Sequence, residues 1–195
     1  MKKLLLVLLL SAFGLVTVTA QSTYKLVPSA TKNLIKGTSN LHDWRCIVEQ
    51  QSGTAVINTA GAFDVKSLNV RMVTKSIKSI KENGSYYEEG MDKNTYKALQ
   101  ADKFPEIVYT LADITGVKTT GNASTFHATG NLTVAGKTNK ITFPVKATVE
   151  GNKVVFTGSV KFKMTAFGVT PPKALLGTIK CGDEVTIVLN TTFQK

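Results

Sequence analysis

From residue 22 onward apolar and polar side chains alternate in short runs bounded by Gly, Asn, Asp and Pro. That is the pattern of antiparallel strands with one face in a core and the other in water. It is clearest over residues 154–164, where Val154, Phe156, Val160, Phe162 and Met164 share one face and Val155, Thr157, Ser159, Lys161 and Lys163 share the other. The same period sets Phe126, Ala128, Gly130, Leu132 and Val134 against His127, Thr129, Asn131 and Thr133, and Ile141, Phe143, Val145, Ala147 and Val149 against Thr142, Pro144, Lys146 and Thr148. It returns at Val185, Ile187, Leu189 and Thr191, and more weakly over 32–38, 43–50, 54–59, 66–74 and 106–114. Ala135-Gly136-Lys137-Thr138-Asn139 and Glu150-Gly151-Asn152-Lys153 supply hairpin chemistry between neighbouring runs. Residues 86–102 break the alternation: Met91, Thr95, Leu99 and Asp102 recur at near-helical steps among the helix formers Lys97, Ala98 and Gln100. Asp92 is placed to cap such a helix and Phe104-Pro105 to end it. The pattern therefore predicts an all-β chain of about eight strands with one helix.

Strands with one apolar face can pair as a sandwich or close as a barrel, and closure removes exposed edges. A barrel of about eight strands is either filled by its own side chains or wide enough for one small ligand. The dry faces alternate large residues (Phe126, Phe143, Phe156, Phe162, Met164) with small ones (Ala128, Gly130, Ala147, Gly158). That alternation is compatible with a gap and also with a solid core.

Residues 1–20 change the composition. Met1-Lys2-Lys3 is a cationic start, residues 4–18 are an apolar run, and Val18-Thr19-Ala20 places small residues before Gln21. This is the layout of a secretory signal peptide, too short for a comfortable transmembrane helix and without the cysteine of a lipoprotein signal. Cleavage near Ala20 leaves a single domain over 21–195 for the periplasm or secretion, and loss of Lys2 and Lys3 lowers the formal charge from +11 to +9. The positive excess is almost all lysine, since Arg45 and Arg71 are the only arginines, which argues against sequence-specific nucleic-acid binding. Cys46 and Cys181 are the only cysteines; in an exported chain they form either a disulfide or two separate thiols, and they meet only if the first and last strands are neighbours.

Four segments carry a family resemblance. The run Gly130-Asn131-Leu132-Thr133-Val134-Ala135-Gly136-Lys137-Thr138-Asn139-Lys140-Ile141 resembles the G-x-L-T hairpin of the YceI-like family of exported bacterial proteins. Met91 to Leu99 followed by Phe104-Pro105-Glu106-Ile107-Val108-Tyr109 is similar to that family's helix and strand entry. Phe162 to Val169, Pro171-Pro172 and Leu176 to Val185 resemble its closing strands, and Thr38-Ser39-Asn40-Leu41-His42-Asp43-Trp44 the opening of one branch. The resemblance implies an extended, antiparallel, lipocalin-like barrel with the helix over it. It also implies an interior that takes a long isoprenoid chain of quinone or polyprenyl type. Burial of such a chain gains roughly 0.8 kcal/mol per CH₂. The apolar inward positions Phe126, Leu132, Phe143, Val145, Phe156, Phe162 and Met164 are then candidates to line a lipid site. The competing reading is a structural, interaction or stress-response module with a filled core and no lipid.

Catalytic and metal chemistry finds little support. His42 and His127 are the only histidines, without HxH, HxxxH or paired-Cys spacing, so no metal and no cofactor is expected. His42-Asp43-Trp44 places an imidazole beside a carboxylate, but adjacent strand residues point to opposite faces. Trp44 then shares the His42 face as a packing or rim residue. No nucleophile elbow, phosphate loop or dinucleotide fingerprint is present, so a lipid esterase or isomerase would hinge on His42 or His127 alone. Glu88 and Glu89 suit a helix start. Lys146, Lys161 and Lys163, on wet faces, keep the exterior solvated. With Lys137 and Lys140 they could also meet an anionic head group or a membrane surface transiently. A homodimer is compatible with the sequence.

Overall fold

The computed structural model describes residues 21–87 and 89–195, so the signal-peptide reading of residues 1–20 and Glu88 of the expected acidic pair lie outside the described residues. The strands are β1 (Ser22–Leu26), β2 (Leu34–Ser39), β3 (Trp44–Val48), β4 (Gln51–Asn58), β5 (Asp64–Val73) and β6 (Ile77–Ile80), followed by helix α1 (Glu89–Ala98). Then come β7 (Glu106–Thr120), β8 (Ala123–Val134), β9 (Lys137–Glu150), β10 (Lys153–Lys163), β11 (Lys173–Ala174) and β12 (Ile179–Gln194).

All strand pairs are antiparallel. β1 pairs with β4 while β2 pairs with β3, and β4 pairs with β5 while β3 pairs with β6. Segments β1–β2, β3–β4 and β5–β6 are therefore three long strands, each bent in the middle. With β7, β8, β9, β10 and β12 they make an eight-stranded barrel, closed where Lys25 and Leu26 of β1 meet Gln194 and Phe193 of β12.

Buried polar side chains replace the ladder at the bends. Asn33 Oδ1 accepts from Asn190 N–H and from the Thr191 hydroxyl, both at 2.9 Å, and Asn33 Nδ2 donates to Gln51 Oε1 at 2.8 Å. Thr31 Oγ1 accepts from Thr192 N–H at 3.1 Å. An unpaired N–H there would cost about 1–3 kcal/mol, which explains why polar residues are buried beside the core.

The hairpins follow the turn chemistry. Ala135 (φ 47°) and Gly136 (φ 77°) form a two-residue type I′ turn between Val134 and Lys137, and Gly151 (φ 61°) opens the turn between Glu150 and Lys153. Two family motifs gain a packing reason: a Cβ on Gly130 would overlap the Tyr109 ring, and one on Gly37 would overlap the Trp44 indole.

The helix is shorter than the 86–102 pattern predicts, because Tyr86 forms a β-bridge with Ile80 and Gln100 (φ 50°) turns the chain. Asp92 does not cap it. Its carboxylate accepts Ser79 N–H of β6 at 2.7 Å and pairs with Lys78 at 3.2 Å, pinning α1 to the barrel. The barrel has a floor, packed with Phe63, Phe126, Phe156 and Phe193, and a mouth at the opposite end. At the mouth lie the β2–β3 turn, α1, the β8–β9 turn and residues 164–178.

An apolar cavity inside the barrel

Above the floor the barrel encloses a cavity of about 350 Å³ with an almost wholly apolar wall, within the range of small-molecule sites. Along β12 it is bordered by Ile179, Cys181, Val185, Ile187, Leu189, Thr191 and Phe193. At strand rise and barrel tilt this spans roughly 30 Å from mouth to floor. The site is thus long and narrow.

Two places in the upper wall are not strand. β9 pairs with β10 only from Lys153 to Gly158, ending beside Pro144, which has no N–H to continue a ladder. The 3₁₀ turn Met164–Phe167 fills the space beyond, with Phe167 buried and Ala166 O accepting from Asn139 Nδ2 at 2.9 Å. Between β6 and β7 the wall is helix, and Met91, Thr95, Ala98 and Leu99 face the cavity.

All seven residues proposed from the sequence border this cavity. Phe126, Leu132, Phe143, Val145 and Phe156 are buried in its wall, and Phe162 and Met164 are half-buried near the mouth, with Met164 on the turn after β10 rather than on the strand. The wall made by Ile35, Trp44, Cys46, Val48 and Ile77 was not among those candidates, although the alternation Trp44, Cys46, Val48 is visible in the sequence. Trp44 sits at the rim with Nε1 donating to Thr38 O at 2.9 Å.

Polar groups in the cavity are few. Tyr109 lies where the floor and mouth cores join, edge-on to Phe143 with centroids 5.9 Å apart. Its hydroxyl is the one buried side-chain N or O among the described residues without a hydrogen-bond partner, and desolvation pushes its pKa up to about 12. It is a neutral donor with nothing to bond.

Cys46 and Cys181 both border the cavity as free thiols. β12 pairs with β2, so the first and last long strands are neighbours, but Cys46 lies one strand further on, on β3, with β2 between it and Cys181. Cys46 stands opposite Ile35 and Cys181 opposite Ser39, four residues apart along β2. That offset of roughly 13 Å along the strand exceeds the reach of a disulfide, and the bridged alternative is corrected to two separate thiols. Burial raises the Cys46 pKa to about 11 and that of Cys181 in the same direction, so neither is an activated nucleophile.

The histidines stand apart. His42 is exposed at the mouth, its Nδ1 2.6 Å from the backbone oxygen of Asp43 and its ring stacked on Tyr87, while His127 faces outward on β8 between Thr115 and Pro144. Among the described residues no three His, Cys, Asp or Glu side chains come together. Lys137, Lys140, Lys146, Lys161 and Lys163 are all on the exterior, and Lys161 pairs with Glu184 at 2.9 Å.

An eight-stranded antiparallel barrel around a long apolar cavity is a lipocalin-like architecture. The chain belongs to the YceI-like family, whose YceI-like domain matches residues 24–193. Among solved structures it is similar to Burkholderia cenocepacia BcnA (TM-score 0.66, 18% identity, 86% of this chain and 98% of that one). It is also similar to a polyisoprenoid binding domain from Saccharophagus degradans implicated in plant cell wall breakdown (TM-score 0.65, 10% identity, 88% and 97%). The YceI protein of Campylobacter jejuni aligns over 73% of this chain and 81% of its own at 18% identity and a TM-score of 0.52. At these identities the likeness is one of fold. No curated protein matches the chain.

Proposed function

We propose that this protein is an exported, non-enzymatic carrier or sequestrant that holds a long-chain isoprenoid lipid, of quinone or polyprenyl type, inside the barrel. The observation that carries the reading is the long apolar cavity. Dry cavities of this kind bind hydrocarbon because water gains nothing there. The polyisoprenoid binding domain among the structural relatives supports the ligand class, and the cationic-apolar-small layout of residues 1–20 supports export. Tyr109 refines the ligand: its unpaired O–H is covered by the barrel wall at Gly130, and a small turn of the side chain toward the cavity would let a quinone carbonyl or a lipid oxygen accept it.

The decisive experiment is solvent extraction of protein purified from its native host, followed by mass spectrometry. A stoichiometric hydrophobic molecule is expected, and its absence would overturn the reading. Tyr109→Phe should weaken a quinone-headed isoprenoid by about tenfold, roughly 1.4 kcal/mol, and leave an isoprenoid hydrocarbon such as squalene unaffected, measured by quenching of Trp44, the only tryptophan. Equal losses for both ligands would place the polar end of the lipid elsewhere.

A further inference from the structure

The mouth carries a feature that a closed carrier does not need. Among the described residues five large hydrophobic side chains are exposed, and three of them, Leu41 (64%), Leu175 (72%) and Leu176 (109%), stand on two turns at the mouth. These turns are one hydrogen-bonded unit. Asn40 Nδ2 donates to Thr178 O at 2.9 Å, Asn40 N–H to Lys180 O at 3.1 Å, and Lys180 N–H to Asn40 Oδ1 at 2.7 Å.

The hairpin that bears the two adjacent leucines is unfavourable in three ways. Leu175 (φ 47°) and Leu176 (φ 54°) both adopt the left-handed region, where a Cβ crowds the following carbonyl. Both side chains are given to water. The strand pair that supports them sets Lys173 opposite Lys180, like charges in register. Strain that nothing in the barrel repays is a mark of a segment used by something outside it.

Charge says what that is. From Phe162 to Cys181 the chain has three lysines and no carboxylate, and neither Lys173 nor Lys180 is in a salt bridge among the described residues. Lys81, on the same face, sits over the Tyr87 ring rather than beside an acid. Of the nearby carboxylates, Glu82 is bound by Arg45, Glu89 by Lys93 and Asp183 by Thr165, which leaves Asp43, on the Leu41 turn, as a single exposed acid outside any salt bridge among the described residues against the three rim lysines. Protruding leucines ringed by free lysines match a bilayer with anionic head groups, where acyl chains take the leucines and phosphates take the ammonium groups. Lys173 and Ala174 also border the cavity, so the surface that would touch lipid is the rim of the mouth.

We infer that the Leu41, Leu175 and Leu176 rim, with Lys81, Lys173 and Lys180, docks the barrel mouth on an anionic membrane surface, where the cavity exchanges its lipid with the bilayer. The exchange part rests on the carrier reading above; the docking part does not.

The test is co-sedimentation of the purified protein with vesicles of equimolar phosphatidylglycerol and phosphatidylcholine, alongside a titration with geranylgeraniol read from Trp44 fluorescence. Wild type should bind the vesicles, and the double variant L175S/L176S should bind about tenfold more weakly or worse. K81Q/K180Q, at two rim lysines that do not border the cavity, should lose about fivefold per lysine, a loss that high salt reproduces. Both variants alter exposed side chains and should take up geranylgeraniol like wild type.

Vesicle binding that is absent in wild type, or unchanged in L175S/L176S, overturns the docking surface while leaving the carrier reading to the geranylgeraniol result. Equal binding to pure phosphatidylcholine overturns the anionic assignment. A wild-type dimer that L175S/L176S dissociates, without vesicle binding, overturns the membrane in favour of a second copy of the chain. Vesicle docking without any response to geranylgeraniol sustains the docking surface and removes the carrier reading.

Discussion

The floor and the mouth of this barrel are built from the same strands but by different means. At the floor, side chains from both ends of the chain interlock: Phe193 and Val154 are wholly buried, Phe63 stacks on Phe126 at 5.9 Å, and Phe156 meets Phe193 edge-on at 5.8 Å. At the mouth the wall is completed by a helix and a 3₁₀ turn, each held by a carboxylate and one further side-chain bond, Tyr96 O–H to Ile77 O at 3.0 Å for the helix and Asn139 Nδ2 to Ala166 O at 2.9 Å for the turn. Asp92 ties α1 to β6, and Asp183 ties Thr165 at the start of the Met164–Phe167 turn. A closed packing of aromatics gives stability, whereas a wall held by a few polar bonds is the place where local opening is expected first. That division suits the carrier proposed above.

Two substitutions break the comparison in opposite directions. Phe193→Ala at the floor should cost about 3–5 kcal/mol of global stability, seen as a lowered Tm and denaturant midpoint, because the ring is fully buried and its neighbours can close over the space only in part. Asp92→Ala at the mouth should cost about 2 kcal/mol, most of it from the unpaired Ser79 N–H, since Lys78 is exposed enough to regain water. Its signature differs in kind: amide exchange over α1 should rise well before global unfolding, with the β8, β9 and β12 amides unchanged. If exchange rises everywhere together, helix and barrel are one cooperative unit and the mouth has no separate opening.

The strand walls were legible in the sequence, and the contacts that close the two ends were less so. Period-two runs such as Phe126 to Val134 and Val154 to Phe162 report one dry face from floor to mouth, so their inward residues followed directly, whereas Phe63 and Phe193 of the floor lie outside every run. β6 gave no such signal because Ile77, Ser79 and Ile80, from both of its faces, are covered by the barrel and α1, leaving nothing to alternate. The second half of β7 is exposed on both faces, for the opposite reason. Asn33, Asp92 and Asp183 act on backbone groups far away in sequence, and no local pattern marks a carboxylate whose partner is a distant N–H. The cysteine pair shows the same limit: that β2 lies between the strands of Cys46 and Cys181, with a four-residue offset along it, depends on pairing and register that hairpin turns fix only locally.

The smallest expected effect separates the two carboxylates of the mouth by pH. Asp183 Oδ2 accepts the Thr165 hydroxyl at 2.6 Å and Oδ1 accepts Thr165 N–H at 2.9 Å. These bonds, with Lys163 nearby, hold its carboxyl below the ordinary value of 3.8. A depressed carboxyl stabilises the folded turn fully above its unfolded pKa and loses that contribution as pH falls through the folded one. Neutral and mildly acidic solutions should therefore leave the turn closed, and only below about pH 4 should amides over 164–169 begin to exchange faster. The side chain is exposed, so the effect is confined to the turn and the Tm at neutral pH should hardly move when Asp183 is replaced by Ala. That variant should already show, at pH 7, the faster exchange that wild type reaches in acid, and should have no further acid response there. A residual acid transition at 164–169 in Asp183→Ala would mean that another carboxylate governs the turn, and that the two sides of the mouth are not held independently.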